Sequence, residues 1–223
     1  TGAAGTLMTD LDITSAQQLR VEAGGSIDVG PGNFIAVIPD GGLILEMRTA
    51  DVVTGNALLG TAGTLSAADV LSFTVTGASL FVGTGGDLSA NRQSIETDGA
   101  IGFSVSGGFS MASVKKGTES FTGIKVELDD ASLVGVDGFQ AFVSGDAKLN
   151  LSSRTDGERI DWDSASTQPA GGLPTLDIDK GVSIQILDAA AGIDAFGIFV
   201  ANVDQFDLTI AQANIVTGNA NLG

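Results

Sequence analysis

Residues 71–83 read LSFTVTGASLFVG. Apolar and polar residues alternate from Leu71 to Val75, Gly77 interrupts the run, and a second apolar run ends at Val82. Alternation with a period of two places successive side chains on opposite faces of a β-strand, and a Gly inside such a run marks a bulge, a bend or a corner. The stretch therefore predicts β-structure that breaks at Gly77 and restarts after it.

The same alternation recurs along the chain. It is found in residues 101–105, 124–128, 139–143, 184–186 and 206–210. Turn signals separate these runs at Asp40-Gly41-Gly42, Asp98-Gly99, Asp137-Gly138 and Asp156-Gly157, and Gly also interrupts the runs at Gly107 and Gly145. Helix signals are few, and Ser66 to Asp69 predicts one short helical turn. The pattern as a whole predicts an all-β protein.

Two segments from the start of the chain recur near its end. Residues 1–13 (TGAAGTLMTDLDI) return as 167–178 (TQPAGGLPTLDI), and residues 43–60 return as 206–223 with nine of eighteen positions identical. We interpret residues 1–166 as one full β-rich repeat unit and 167–223 as the first third of the next. The alternative is one duplicated element inside a single domain. Tandem units stack to bury a continuous core, so we expect the native polypeptide to continue past Gly223.

A tandem repeat of this length favours an elongated, repetitive β architecture. Two forms fit the short strands and Gly corners: a β-solenoid, or alternatively stacked β-sandwich units. Segment 154–175 contains two Pro residues, several turn residues and the repeat boundary. We expect this segment to be the junction between successive units, with the second copy adding strands to the first through Val182–Ile186 or Phe206–Ile210.

The charge of the chain limits its partners. There are 27 acidic and 10 basic residues, which gives a formal net charge of −17. Phosphate binding needs a basic face, so the composition disfavours nucleic acid and anionic membrane surfaces. No apolar stretch reaches the roughly 18 residues of a membrane-spanning helix. The expected partners are copies of the same chain or adjacent repeat units, together with a surface glycan in the adhesin alternative.

The sequence lacks most side chains of enzyme chemistry. It contains no His, Cys or Tyr, which removes Ser-His triads, thiol catalysis and His proton relays. Paired carboxylates remain, but glycosidases usually line their sugar clefts with aromatic residues, and Trp162 is the only Trp. We therefore predict that the protein is not an enzyme, and a β-helical polysaccharide-acting enzyme is the least favoured of the three functions considered.

One acidic loop has the composition of a calcium site. Asp156, Glu158, Asp161 and Asp163 lie within eight positions, and carboxylate oxygens are the ligands that Ca²⁺ prefers. A second acidic cluster lies at 129–137. Neither cluster matches the EF-hand pattern or the glycine-rich nonapeptide repeat, and turn acids exposed to solvent are the alternative interpretation. Calcium is the only cofactor that the sequence suggests.

Three runs of this chain resemble a known class of protein. Residues 73–83, 101–107 and 133–145 are similar to the Gly/Asp/Val-rich repeats of giant bacterial extracellular proteins of the haemagglutinin or adhesin type. The resemblance implies an extracellular or cell-surface bacterial protein, many units long, that forms a filament, sheath or stalk. An adhesin module that binds a glycan or a partner-cell surface is the alternative. The resemblance supplies no catalytic residue.

Overall fold

The computed structural model describes residues 17–30 and 32–212. Its strands are β1 (Gln17–Val29), β2 (Phe34–Val53), β3 (Thr64–Thr84), β4 (Asp87–Leu88), β5 (Ile95–Glu96), β6 (Ile101–Lys116), β7 (Glu119–Val134), β8 (Phe139–Ser152), β9 (Ser166–Gln168), β10 (Val182–Ala195) and β11 (Phe199–Ala211). The repeated sequences at 1–13 and 216–223 lie outside the described residues.

One large antiparallel sheet contains nine of these strands. Its order is β1-β2-β3-β6-β7-β8-β10-β11, with β9 paired to the end of β2, and β4 and β5 form a separate hairpin. The all-β prediction is confirmed, because the described residues contain no helix. Their strand pairs are all antiparallel and form no solenoid coil. No helix in this part of the chain has the length and apolarity needed to cross a bilayer.

A line of bulges crosses the sheet near the middle of its strands. Register shifts fall at Gly77 between β3 and β6, at Gly107 between β6 and β7, and close to Gly145 in the pairing of β8 with β10. The sequence predicted a bulge, a bend or a corner at these glycines, and the structure has bulges there. The strands continue through them, however, so that β2 and β3 reach 20 and 21 residues instead of ending at each Gly.

The short helical turn predicted at Ser66–Asp69 is wrong. These residues belong to β3, and Ala67 adopts a positive φ of 48°. The Asp51 carboxylate accepts a hydrogen bond from the Ala67 backbone N–H at 2.7 Å, which supplies a partner within the neighbouring strand. The pattern at Ser66–Asp69 that predicted a helical turn therefore lies at a bulge of β3.

Two apolar clusters lie on one face of the sheet. The larger, here called the capped core, lies under residues 154–181, the capping segment, and consists of Ala50, Val52, Leu59, Leu65, Ala68, Val70, Ala112, Val114, Phe121, Ile160, Trp162, Leu176 and Ile178. The smaller consists of Ile35, Val37, Phe81 and Ala100, and Leu88 and Ile95 of the β4–β5 hairpin pack against it. The capping segment has no regular structure apart from β9, as its Pro and turn residues indicate.

Two facing glycines make room for the largest side chain of the smaller cluster. Gly83 pairs with Gly102 across β3 and β6, and a Cβ atom on either would lie 2.7–2.8 Å from Cζ of Phe81. The ring of Phe81, which is fully buried, therefore lies over backbone that only glycine leaves uncovered.

Candidate assembly interface

The acidic loop, residues 156–163, fastens the capping segment to the sheet. Arg154 donates from Nε and Nη2 to the two Asp156 oxygens at 3.0 and 2.5 Å, and from Nη1 to Glu119 of β7 at 2.6 Å. The Asn56 amide donates to Glu158 Oε2 at 2.7 Å and to the Arg159 carbonyl at 2.8 Å. Two of the four acids predicted as calcium ligands are thus engaged in protein contacts.

The other two acids point elsewhere. Asp161 has one buried oxygen without a hydrogen-bond partner, and its backbone N–H donates to the Thr54 carbonyl at 2.9 Å. Asp163 is exposed. The described residues contain no group of three or more acidic side chains arranged to hold a metal ion. Calcium binding by Asp156, Glu158, Asp161 and Asp163 stays a prediction, and the geometry gives it no preformed site.

The repeated VTGNALLG motif at 53–60 is the anchor for this loop. Thr54 Oγ1 donates to the Asn56 and Gly63 carbonyls, and Asn56 Oδ1 accepts from the Leu58 N–H at 3.1 Å. These bonds shape a tight turn in which Asn56, 1% exposed, directs its amide at the capping segment. The motif therefore has a structural role in the first copy, and its second copy lies outside the described residues.

We expect the Asp156 pairing to make stability depend on acid. The hydrogen bonds from Arg154, and next the backbone N–H of Glu158, lower the pKa of Asp156 from 3.8 to about 2. A carboxylate with a depressed folded-state pKa stabilises the fold fully above its unfolded pKa, and this contribution is lost as the pH falls from about 4 to about 2. Asp156→Asn should therefore flatten the decline in unfolding free energy over that window, measured by urea denaturation at several pH values.

The matched control is Asp163→Asn, because Asp163 lies in the same loop and is exposed. It should leave the acid-dependent decline unchanged. Equal slopes for wild type, Asp156→Asn and Asp163→Asn would show that the Arg154 pairing does not couple folding to protons.

Trp162 is part of the core. Its side chain is 5% exposed, and its Nε1–H donates to Asn150 Oδ1 at 2.9 Å. The indole lies over Gly123 of β7, where a Cβ would approach Trp162 Cε2 to 2.8 Å. Trp162 is thus unable to serve as the exposed stacking platform that a glycan-binding cleft with clustered acids requires.

Polar side chains on the covered face join the strands to the capping segment. Arg48 donates to the Pro169 carbonyl at 2.9 Å and to Glu46 at 3.3 Å, and Glu46 also accepts from Arg20 of β1 at 3.1 Å. On β8, Lys148 Nζ donates to the Asp177 carbonyl at 3.0 Å. These bonds hold the capping segment at β2 and at β8, on both sides of the capped core.

Lys125 of β7 lies in the same polar region. Burial lowers its pKa, but the hydrogen bond to Glu127 at 2.8 Å and the nearby Asp177 and Asp146 carboxylates outweigh burial, so that the pKa is raised. Lys125 is directly opposite Lys148. The acids around this pair allow two cations to occupy facing positions of the sheet.

The seam between β8 and β10 joins the two copies of the sequence repeat. Ten residue pairs connect the strands, from Ile184 opposite Leu149 to Ala195 opposite Phe139. Strand addition was predicted through Val182–Ile186, and it is observed from Ile184 onward. Residues 206–210 instead pair with β10. The sheet therefore continues without interruption from the first copy into the second.

The hairpin β10–β11 repeats the hairpin β1–β2 in register. Leu19 pairs with Met47 and Val21 with Leu45 in the first hairpin, whereas Ile184 pairs with Ile210 and Ile186 with Leu208 in the second. Their offsets of 165 on one strand and 163 on the other are those of the sequence repeat. Arg20 and Glu46 form a salt bridge in the first copy, and Gln185 donates to Thr209 at 3.4 Å at the same position in the second. The sequence repeat is therefore also a structural repeat.

The face opposite the capping segment, here called the open face, is apolar. One row of directly paired residues takes one side chain from each of eight strands: Val21, Leu45, Phe73, Met111, Ile124, Leu149, Ile184 and Ile210. The ends of the row are exposed by 40% at Val21 and 49% at Ile210. No described residue covers this row, so the described part of the chain presents an apolar surface there.

No protein family model, curated protein or solved structure shows a significant match to this chain.

Proposed function

We propose that the chain is a structural module of a long secreted or cell-surface bacterial repeat protein that forms a filament, sheath or stalk, without a catalytic role. The observation that carries the proposal is the recurrence of hairpin β1–β2 as β10–β11, in the same register and paired to the last strand of the first copy. A contact that joins copy one to copy two can join any further copy in the same way.

The row of paired residues defines the geometry of such an array. It starts at Val21 and reaches β10 at Ile184, which is the repeat equivalent of Leu19, two residues earlier. Each unit is therefore displaced along the strands by two residues, about 7 Å at 3.4 Å per residue. Each unit contributes six strands to the large sheet, namely β1, β2, β3, β6, β7 and β8. At 4.8 Å per strand, these six strands are about 29 Å wide. This is the elongated, repetitive architecture that we propose.

Charge and resemblance supply the proposed location. The net charge of −17 keeps a long array soluble and limits unspecific contact between copies. The Gly/Asp/Val-rich runs resemble repeats of giant extracellular bacterial proteins. We therefore place the module outside the cell or on its surface, with adjacent repeat units as its immediate partners. The adhesin alternative needs a glycan site other than Trp162, since that side chain is buried.

The proposal predicts a native product much larger than this chain. An antibody raised against residues 17–212 should label intact cells of the source bacterium, and on a denaturing gel it should recognise a polypeptide far above 22.3 kDa. Peptide mapping of that polypeptide should find several segments similar to 61–153, each following a copy of the 53–60 motif, because an array repeats its unit.

Two results would contradict this proposal. A native product near 22.3 kDa with Thr1 and Gly223 as its true termini would leave no array. Labelling only after the cells are permeabilised would remove the extracellular location. A cytosolic protein of the host, labelled in the same way, controls for cell integrity.

A further inference from the structure

The outer edge of β1 has no partner in the part of the chain that the structure describes. β1 is the first strand of the sheet order and pairs only with β2. Its repeat equivalent, β10, is paired on both edges, with β11 on one side and with β8 on the other. The same element therefore occurs twice, once with both edges paired and once with an outer edge that no described residue pairs with.

The pairing of β10 with β8 specifies the register that a strand at the outer edge of β1 would adopt. Leu19 and Val21 are equivalent to Ile184 and Ile186, by their identical pairing within the two hairpins. Across the seam, Ile184 lies opposite Leu149 and Ile186 lies opposite Ala147. Transferred to β1, this pairing places a Leu149-type residue opposite Leu19 and an Ala147-type residue opposite Val21.

The side chains of β1 have the same order of types as those of β7, which already pairs with β8. Residues 19–22 read LRVE and residues 124–127 of β7 read IKVE. On β7 the four residues lie opposite Leu149, Lys148, Ala147 and Asp146. The transferred register places the LRVE residues of β1 opposite the same four side chains, with the two apolar residues on the open face and the two charged residues on the covered face.

The charged residues of β1 also have compensating partners. Facing cations at Lys125 and Lys148 are tolerated because Lys125 lies 2.8 Å from Glu127 and 3.5 Å from Asp177. Arg20 has equivalent neighbours, since it lies 3.1 Å from both Glu22 and Glu46. A Lys148-type residue can therefore face Arg20 as it faces Lys125.

We propose that the outer edge of β1 is a docking site for a β8-type strand from another copy of the unit, in the register that places Val21 opposite the Ala147-type residue. Docking would satisfy the free N–H and C=O groups of the β1 edge and extend the open face by one strand. The inference deepens the proposed function, on which it rests, by naming the contact through which one unit receives the previous one.

Disulfide trapping tests both the edge and the register. The chain contains no Cys, so introduced thiols have no competitors. The full chain carrying Val21→Cys is mixed, in a glutathione redox buffer, with a synthetic peptide of the β8 sequence, residues 139–152, carrying Ala147→Cys. Directly opposed residues have Cβ atoms about 4.5–5.5 Å apart and diagonal neighbours about 7–8 Å. The adduct should form about tenfold faster than with a peptide carrying Leu149→Cys instead, because a disulfide needs the shorter separation.

Two further variants serve as controls. The full chain with both Ala147→Cys and Ile186→Cys should form an internal disulfide, because these residues face each other across the seam. The full chain with Leu208→Cys presents a thiol on β11, the strand at the other end of the sheet order. It should react with the Ala147→Cys peptide only at the slow rate of the mismatched register.

The outcomes separate this inference from the proposed function. The docking site is supported if the Ala147→Cys peptide reacts rapidly with the Val21→Cys chain and the other combinations of peptide and chain react slowly. Equal rates for the two peptides at Val21, or equal rates at Val21 and Leu208, would overturn it, whereas the internal disulfide would still form. Failure of the internal disulfide would remove the seam itself and with it the observation that carries the proposed function.

Discussion

Replacement of Trp162 by Ala should lower the melting temperature by about 6–20 °C. Large aromatic-to-Ala changes in a core cost about 3–5 kcal/mol, and for a chain of this size each kcal/mol shifts the melting temperature by about 2–4 °C. Trp162 is 5% exposed, and its indole lies beside Leu176 over Gly123 of the sheet. Its removal leaves a cavity where the capping segment meets the sheet, and it leaves Asn150 Oδ1 without the indole donor.

Circular dichroism is the appropriate measurement for this variant, since Trp162 is the only Trp and its removal deletes the fluorescence signal. Trp162→Phe is the matched control, because it keeps an aromatic ring over Gly123 and loses only the hydrogen bond to Asn150. We expect it to lose a fraction of the stability that Trp162→Ala loses. A melting temperature for Trp162→Ala within about 2 °C of wild type would mean that the capping segment contributes little to folding.

Alternation and glycine placement predicted β3, β6, β7, β8, β10 and β11, but none of the predicted runs fell in β1 or β2. The run from Ile124 to Leu128 lies in β7 and the run from Phe139 to Val143 lies in β8, and Gly77 marks a bulge in β3. The pattern did not predict that the strands continue through their glycines, because a bulge and a turn have the same local residue preferences. Whether the chain continues or reverses there is decided by pairing with neighbouring strands, which lie far away in sequence.

The covered and open faces could not be assigned from the sequence. Alternation shows that the two faces of β2 differ, and the face with Leu45 and Met47 is the more apolar one. The capping segment nevertheless covers the other face, which carries Glu46 and Arg48 as well as Ala50. Those charged residues bond there to each other, to Arg20 and to the Pro169 carbonyl, and among the described residues only Arg48 Nε is left without a partner in this group. Which face a loop covers depends on its path and its hydrogen bonds, and neither follows from hydrophobic pattern.

The acidic loop shows the same limit at a candidate site. Four carboxylates within eight positions suggested calcium, but proximity in sequence does not determine where side chains point. Asp156 turns toward Arg154, and Glu158 turns toward Asn56.

The sequence also contains a signal for the proposed docking edge of β1, which the pattern of alternation did not reveal. The tetrapeptides LRVE at 19–22 and IKVE at 124–127 have the same order of apolar, basic, apolar and acidic residues, and a search for internal similarity at the scale of single strands would have found them.

Removal of residues 182–223 should destabilise the remaining chain and make it associate. The cut belongs after Gly181, because Leu176 and Ile178 complete the capped core and a chain ending at residue 166 would lose them. The variant loses the ten residue pairs of the seam, at about 0.2–1 kcal/mol each, or roughly 2–10 kcal/mol in total. It also exposes the edge of β8, while the outer edge of β1 has no partner among the described residues. If β1 receives β8-type strands, the two edges are complementary and lie at opposite ends of the sheet, so association is head to tail and does not close.

Sedimentation velocity should therefore show a concentration-dependent series of oligomers for residues 1–181 and a single species for residues 1–212, in which hairpin β10–β11 still covers β8. Both chains keep the open face from β1 to β8, and residues 1–212 add β10 and β11 to it. Association driven by that apolar face would therefore be at least as strong in residues 1–212 and would not be mistaken for edge pairing. Val21→Lys, placed in the 1–181 chain, sets a charge beside the Ala147-type position and should shorten the oligomers.

If residues 1–181 remain monomeric with an unchanged melting temperature, the seam transmits no stability between copies. The units would then be independent domains, a filament would have no continuous sheet to carry tension, and an adhesive module would explain the chain better than a structural one.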